Sequence, residues 1–318
     1  MNNKIAVIIP CYREKNTILD VLSTLPNFVD YVVVVDDGCP DQTGKLVEAK
    51  AAHSNQVVLF HEVNQGLGAA MQTGYRWVLE NTDADILVKL DGDGQMDPDY
   101  MAELVSPLLQ GHSDYAKGNR FSSIEDLEQM PKLRIFGNAV LSLMSKLSSG
   151  YWNITDPTNG YTAVTRKALS RIKVEKLSRS FFFESDMLFR LSLVRAVVTD
   201  VPMPAVYGTE KSQLKIRKII WLFQRRHTVN FVKRILYNYY LREWNVASIE
   251  LPLGLALFLG GAFLGATSWT SASAAGLPAT SGQVMLAAVP IILGFQLILA
   301  FLSYDVASVP KSRNGSAT

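Results

Sequence analysis

Tyr31-Val-Val-Val-Val-Asp36-Asp37-Gly38 decides how the rest of the chain is read. Four consecutive valines leave no polar face for water, so the run is a strand covered on both sides, with two carboxylates at its end. Comparable runs occur nearby: Lys4-Ile-Ala-Val-Ile-Ile-Pro10 before it, then 57–61 and 84–90 after it. Between them, 14–25, 43–53 and 68–81 carry helical periodicity. Buried strands alternating with helices predict an α/β domain, a mostly parallel sheet with helices on both faces. In such sheets ligands bind beyond the carboxyl ends of the strands, where strand order reverses. The residues that follow each strand are therefore the candidates for function.

The whole chain narrows the class. Of 318 residues, 48% are hydrophobic and 19% charged, which excludes a disordered or collagen-like polymer. The net charge of +2 indicates no nucleic-acid partner. Cys11 and Cys39, the two cysteines, exclude a zinc cluster or disulfide framework and point to a reducing compartment. Mean hydropathy is +0.12, high for a soluble enzyme.

That hydropathy is concentrated near the C-terminus. Residues 251–304 contain no charge and divide into two apolar stretches, 251–269 and 284–304, each near the ~20 residues that cross a bilayer as helix. The Ser-, Ala-, Thr- and Gly-rich segment 270–283 reads as the loop between them. Residues 211–242 carry nine basic residues and no acidic one, and Lys311 and Arg313 follow the second stretch. The positive-inside rule then predicts a multi-pass protein of the cell (inner) membrane with the large domain and both termini cytoplasmic. Apolar residues recur at helical spacing among those basic ones, which predicts amphipathic helices over 216–248 lying on the anionic leaflet; packing on the domain is the alternative. The expected division is thus 1–215 catalytic, 216–248 interfacial, 249–306 membrane-spanning and 307–318 a cytoplasmic tail. Gly254, Gly260, Gly261 and Gly265 are candidate contacts for a homo-oligomer.

Each strand end carries chemistry. Pro10-Cys11-Tyr12-Arg13-Glu14 ends the first strand with a flat ring at Tyr12 and an acceptor at Glu14. Asp36 and Asp37 repel one another unless hydrogen bonds or cations meet them; capping of the next helix is the alternative reading. Asn64-Gln65-Gly66-Leu67-Gly68 opens a helix with glycines that allow close backbone approach. Asp91-Gly92-Asp93 places two carboxylates on one side of a turn, with Gln95 adding a neutral oxygen, a donor set for Mg²⁺ or Mn²⁺ shared with a diphosphate.

Taken together, these strand ends over residues 4–215 resemble the family 2 glycosyltransferases of GT-A (Rossmann-like) fold, most closely the polyprenyl-phosphate sugar synthases. The resemblance implies a nucleotide-binding set of Pro10, Tyr12, Glu14, Asp36, Asp37, Gly68, Asp91 and Gly92. It also implies a metal held by Asp91, Asp93 and Gln95. Gly118-Asn119-Arg120 resembles a Gly-Ser-Arg element, making Arg120 a phosphate contact, and Arg134 occupies a similar basic position. Asp156-Pro157-Thr158-Asn159-Gly160-Tyr161 resembles the acceptor-side Asp-Pro-X-Ser-Gly-Phe motif, with Asn159 replacing serine. Gly208-Thr-Glu-Lys211-Ser212 departs from the late Gly-X-Ser-Lys pattern, so Lys211 and Lys215 are alternative acceptor-phosphate ligands. Glu184, in Phe181-Phe-Phe-Glu184-Ser-Asp186, corresponds to the acidic residue that acts as base on hydroxyl acceptors; a core ion-pair partner is the alternative. Gln224-Arg225-Arg226-His227 lacks the tryptophan of the processive synthases' Gln-X-X-Arg-Trp, which argues against a polymerase. The expected activity is inverting transfer of one sugar from a GDP- or UDP-linked donor to polyprenyl phosphate, with catalysis carried by Asp93, Arg120, Asp156 and Glu184. A hydroxyl-bearing glycolipid acceptor, or a non-catalytic nucleotide-sugar binder, are the competing expectations.

Overall fold

The structure, a computed structural model, describes residues 3–50, 53–121, 132–204 and 216–312. The strands are β1 (Ile5–Cys11), β2 (Tyr31–Asp36), β3 (Gln56–Phe60), β4 (Ile86–Lys89), β5 (Tyr115–Asn119), β6 (Thr162–Thr165) and β7 (Val198–Pro202). The helices are α1 (Ile18–Ser23), α2 (Thr43–Ala49), α3 (Leu67–Asn81), α4 (Met101–Leu109), α5 (Lys132–Ser149), α6 (Arg166–Leu169), α7 (Phe183–Leu193), α8 (Ile216–Leu236), α9 (Val246–Ala275) and α10 (Ser281–Ala307).

Among the described residues the seven strands form one sheet in the order β3-β2-β1-β4-β6-β5-β7. β1 pairs in parallel with β2 and β4, and β2 with β3, whereas β6 runs antiparallel to β4 and β5. Strand order reverses between β1 and β4, so the ends of those two strands open the crevice expected of a doubly wound sheet. Every residue of β1 and β4 is buried. Their alternation splits the core: Ile9 and Val34 pack with α1 and α4, while Ile8 and Val35 lie under α3, where a methyl on Gly74 would overlap Ile8. The β3 edge is half-buried, with Phe60 exposed, unlike the covered strand expected at 57–61.

The described residues of Met1–Phe231 and Pro310–Thr318 form one compact unit and Val232–Val309 a second. Within the first, the N-terminal part of α8 is a docked helix. His227 Nδ1 and Ser148 Oγ lie 2.8 Å apart, and Arg226 Nη1 donates to Ser178 Oγ and Ser180 Oγ at 2.7 Å each. The His227 ring sits edge-on to Phe182, and burial drives its pKa down to about 4. The opposite side of α8 exposes Trp221, Leu222 and Val229. One face of this helix thus packs on the domain, the alternative reading, and another stays apolar and open.

The second unit holds two helices long and apolar enough to cross a membrane, α9 and α10. The connection between them is shorter than the expected 270–283. Helix α9 continues through the Ser/Thr-rich segment because Thr267 and Thr270 return their hydroxyls to the carbonyls of Phe263 and Ala266, and it stops at Gly276, φ 66°. Thr280 and Gln283 then form a capping box that starts α10. Gly254 and Gly261 are used inside this hairpin: a methyl on Gly261 would stand 2.8 Å from Ala287 O, and one on Gly254 3.0 Å from Gly294 O. Two of the glycines expected to join copies therefore join α9 to α10. At the base, Arg234 grips Asp305 through two bonds of 2.6 and 3.0 Å. Tyr239, in the π-helical turn Tyr237–Arg242, donates to the same carboxylate at 2.6 Å.

Candidate active site

The first half of the site is built from the ends of β1, β2 and β3. The chain leaves β1 through Tyr12, 38% exposed, and turns at Arg13, φ 65°, whose guanidinium lies 5.4 Å from the Tyr12 ring. Asp36 and Asp37 are both brought here, and both are buried. Asp36 accepts from Cys39 N at 2.7 Å and from Gly44 N, in the first turn of α2, at 2.6 Å. Asp37 accepts from Gln65 N at 2.9 Å and Gly66 N at 2.7 Å and meets His61 Nδ1 at 2.7 Å. The two carboxylates thus fasten the loops that form this wall. Gly68, expected to let backbone approach a nucleotide, is instead packed against protein. A methyl there would overlap Ser178 O and reach within 2.8 Å of Arg179 C. Gly92 is a packing glycine too: its carbonyl accepts from Thr17 Oγ1 at 2.7 Å, and a methyl would overlap the Glu14 carboxylate.

Beyond β4 the character of the surface changes. Asp91, Asp93, Gln95, Arg120, Thr158 and Gly160 line one cleft. The Asp93 Oδ1 accepts from Gln95 N at 2.9 Å, which shapes the turn. Among the described residues no three His, Cys, Asp or Glu side chains could enclose a metal by themselves. Two carboxylates and an amide on an open wall suit a hard cation that keeps part of its shell for substrate oxygens. The donor set therefore fits Mg²⁺ or Mn²⁺.

Arg120 reaches this cleft because Asp156 holds it. Asp156 is fully buried and accepts from Arg120 Nε at 2.8 Å and Nη2 at 3.2 Å. Burial alone raises a carboxyl's pKa, but the guanidinium beside Asp156 outweighs it and holds the pKa below the usual range. Asp156 itself does not line the cleft, so it acts on Arg120 rather than on a ligand there. Glu184, in the first turn of α7, is also buried and off the cleft wall, 3.4 Å from Lys89 Nζ. The structure places it as an ion-pair partner. Arg134 stands in the first turn of α5, and Lys211 and Lys215 lie outside the described residues.

Sequence reasoning missed two lysines. Lys89, 0% exposed, contacts Asp91 Oδ1 at 2.7 Å, Glu184 and Gly160 O at 3.2 Å. Burial favours its neutral amine, yet Asp91 and Glu184 overcome this and raise its pKa. Lys117, equally buried, donates to Asn159 O, and burial pushes its pKa down to about 8. On β7, Asp200 accepts from Thr155 N at 2.7 Å, its other oxygen is buried without a hydrogen-bond partner, and burial pushes its pKa up to about 6. A lysine inside an apolar strand was the available signal, since ammonium groups are buried only against partners.

The description of glycosyl transferase family 2 matches residues 6–173. The UDP-N-acetylglucosamine–dolichyl-phosphate N-acetylglucosaminyltransferase of Methanococcus voltae is 30% identical over 225 residues, covering 66% of this chain and 88% of that one. The undecaprenyl-phosphate mannosyltransferase of Micrococcus luteus is 31% identical over 207 residues, 64% and 84% of the two chains. Glucosyl-3-phosphoglycerate synthase from Mycobacterium tuberculosis, solved with Mn²⁺ and uridine-diphosphate-glucose, superposes with a TM-score of 0.54 at 21% identity, covering 73% of this chain and 79% of that one. That likeness is one of fold. With a seven-stranded sheet, carboxylates at the crevice and the family's own pattern over more than half its length, this chain belongs to glycosyl transferase family 2.

Proposed function

We propose that this glycosyltransferase moves one sugar, with inversion, from a nucleoside-diphosphate sugar, GDP- or UDP-linked, to polyprenyl phosphate at the cytoplasmic face of the cell membrane. The observation that carries it is the cleft that Asp91, Asp93 and Arg120 line together. Two negative groups and one pinned guanidinium suit a reaction whose donor and acceptor are both phosphates. The relatives named for dolichyl and undecaprenyl phosphate support the same acceptor.

In this reading the nucleoside rests against the ends of β1 and β2, with Tyr12 offering its ring, Pro10 and Glu14 shaping the turn, and Asp36 and Asp37 holding the loops. Asp91, Asp93 and Gln95 would hold a Mg²⁺ or Mn²⁺ ion, which would supply Lewis-acid stabilisation of the leaving diphosphate. Arg120 binds phosphate while Asp156 holds its guanidinium in place, and preorganisation by a buried carboxylate costs nothing at the moment of transfer. A phosphate acceptor is already ionised and needs no proton removed. Glu184, tied to Lys89, suits that chemistry better than it suits a general base for a hydroxyl.

The lipid acceptor also accounts for the apolar surfaces. Phe136, Val140 and Leu143 form an exposed row along α5, and Trp221, Leu222 and Val229 are exposed on α8. Apolar rows of this kind suit an acyl boundary, and the basic residues of 211–242 suit anionic headgroups, with α9 and α10 as membrane spans and both termini cytoplasmic. Arg134, Lys211 and Lys215 are proposed to share the acceptor phosphate.

The test is turnover of the full chain in detergent with Mg²⁺ or Mn²⁺, a panel of nucleotide sugars, and polyprenyl phosphate or the matching alcohol. An acid-labile sugar–phospholipid, with no product from the alcohol, is expected. Product from the alcohol overturns the phosphate acceptor.

A further inference from the structure

A polar row crosses the sheet beneath the cleft. Lys89 on β4 stands opposite Thr162 on β6, Thr162 opposite Lys117 on β5, and Lys117 opposite Asp200 on β7. Residues paired in register point to the same side of a sheet, so all four lie on one face. This is the face of Ile8, which is paired with Lys89 across β1 and β4 and lies beneath α3. Both lysines end on consecutive carbonyls of one loop, Lys89 on Gly160 O and Lys117 on Asn159 O. That loop begins at Asp156, which orients Arg120.

The contacts of Lys89 match what an ammonium offers. Its Nζ donates to Gly160 O at 3.2 Å and lies in ion-pair distance of two carboxylates, Asp91 Oδ1 at 2.7 Å and Glu184 Oε1 at 3.4 Å. Two belong to residues that line the cleft, Asp91 at the end of β4 and Gly160 in the loop before β6. Gly160 has no room for a side chain, because a methyl there would stand 2.5 Å from Lys89 Nζ and 2.8 Å from Asp91 Oδ2. The loop, the ammonium and the carboxylate are therefore packed as one piece. Glu184 supplies the second negative charge that makes burial of the ammonium tolerable.

We propose that Lys89 is a positioning residue that locks the Asp91 carboxylate to the Asn159–Gly160 loop, with Lys117 bracing the same loop and Glu184 serving as the counter-ion of Lys89. Lys89 touches neither substrate nor metal. It sets where Asp91 stands relative to Arg120, and so the distance between the donor-holding and acceptor-holding walls. The inference rests on the reading of Asp91 as a metal-holding residue.

Charge and position predict opposite results, which makes the test decisive. Removing a cation beside Asp91 strengthens the attraction for a divalent ion if the carboxylate stays in place, whereas loss of its anchor weakens binding. Mn²⁺ alone is titrated into the detergent-solubilised full chain and free ion is followed by its EPR signal. Lys89→Met is expected to bind Mn²⁺ at least about tenfold more weakly than wild type. The double variant Lys89→Met/Glu184→Gln removes one positive and one negative charge, leaves the local net charge unchanged and covers the case in which the single variant does not fold. It is expected to show the same loss. Equal or tighter Mn²⁺ binding by folded variants overturns this inference alone, and absence of binding by the wild-type chain overturns the metal reading together with it. For Glu184→Gln, turnover is expected to keep the wild-type pH profile, and loss of one limb of that profile overturns its assignment as counter-ion.

Discussion

The two halves of the crevice solve one problem in different ways. On the β1–β2–β3 side, buried Asp36 and Asp37 are met mainly by backbone N–H groups, with the His61 ring also meeting Asp37. On the β4–β6–β5 side, Asp91, Glu184 and Asp156 are met by the side-chain cations Lys89 and Arg120. Backbone donors are fixed by the course of the chain, so a carboxylate they satisfy becomes part of the framework. A carboxylate met by a side-chain cation depends instead on where a second side chain stands. The first half is thus framework and the second is the half we propose as the working surface, although a sequence presents both as acidic strand ends.

This contrast is broken most severely at the working surface. Asp93→Ala should lower metal-dependent turnover about 1000-fold, or about 4 kcal/mol, with an unchanged melting temperature. Full activity would remove Asp93 from the metal site. Asp156→Asn removes a buried carboxylate from its charge-assisted bonds to the partly exposed Arg120 guanidinium. A loss of about 2–3 kcal/mol in stability, with weaker acceptor binding, is expected from denaturant unfolding and from KM for the lipid. A change in nucleotide affinity alone would mean that Arg120 serves the donor.

On the scaffold side, Asp37→Asn keeps one acceptor oxygen but disturbs the bonds to Gln65, Gly66 and His61. It should cost about 2 kcal/mol in stability while turnover of the folded protein falls less than tenfold. A kinetic collapse without a stability change would erase the distinction between the halves.

The last effect is a slope with pH and concerns the docking of α8. His227 is held neutral, with its pKa depressed from 6.5 to about 4. The unfolded chain therefore binds the extra proton first as pH falls. Its contribution to stability is complete above pH 6.5 and is lost progressively down to pH 4, at about 1 kcal/mol per pH unit. Comparing wild type with His227→Gln by unfolding across that window should show a shallower slope in the variant. Parallel slopes would mean that the ring is already charged in the folded chain.

Much of this was legible in the chain itself. The alternation of Val-rich runs with helical periods announced the sheet, and Asp91, Asp93 and Arg120, singled out as candidate ligands, line one cleft. Helix ends were less legible, because the Thr hydroxyls that prolong α9 resemble a loop composition. Asp156 and Glu184 were found as residues, but their burial behind the cleft was not. Gly68 and Gly92 were read toward ligand when each makes room for protein.

Local pattern determined the fold class, the order of elements and the two apolar helices, since periodicity and hydrophobicity act over a few neighbouring residues. Only the tertiary structure decided which carboxylate is framework and which belongs to the site. That depends on what neutralises a buried charge, and the partners are distant along the chain: Lys89 meets Gly160 across 71 positions and Arg120 meets Asp156 across 36. The cost of burying each ion is set by its own chemistry, but the compensating partner is supplied only when the sheet brings β4, β5 and β6 side by side.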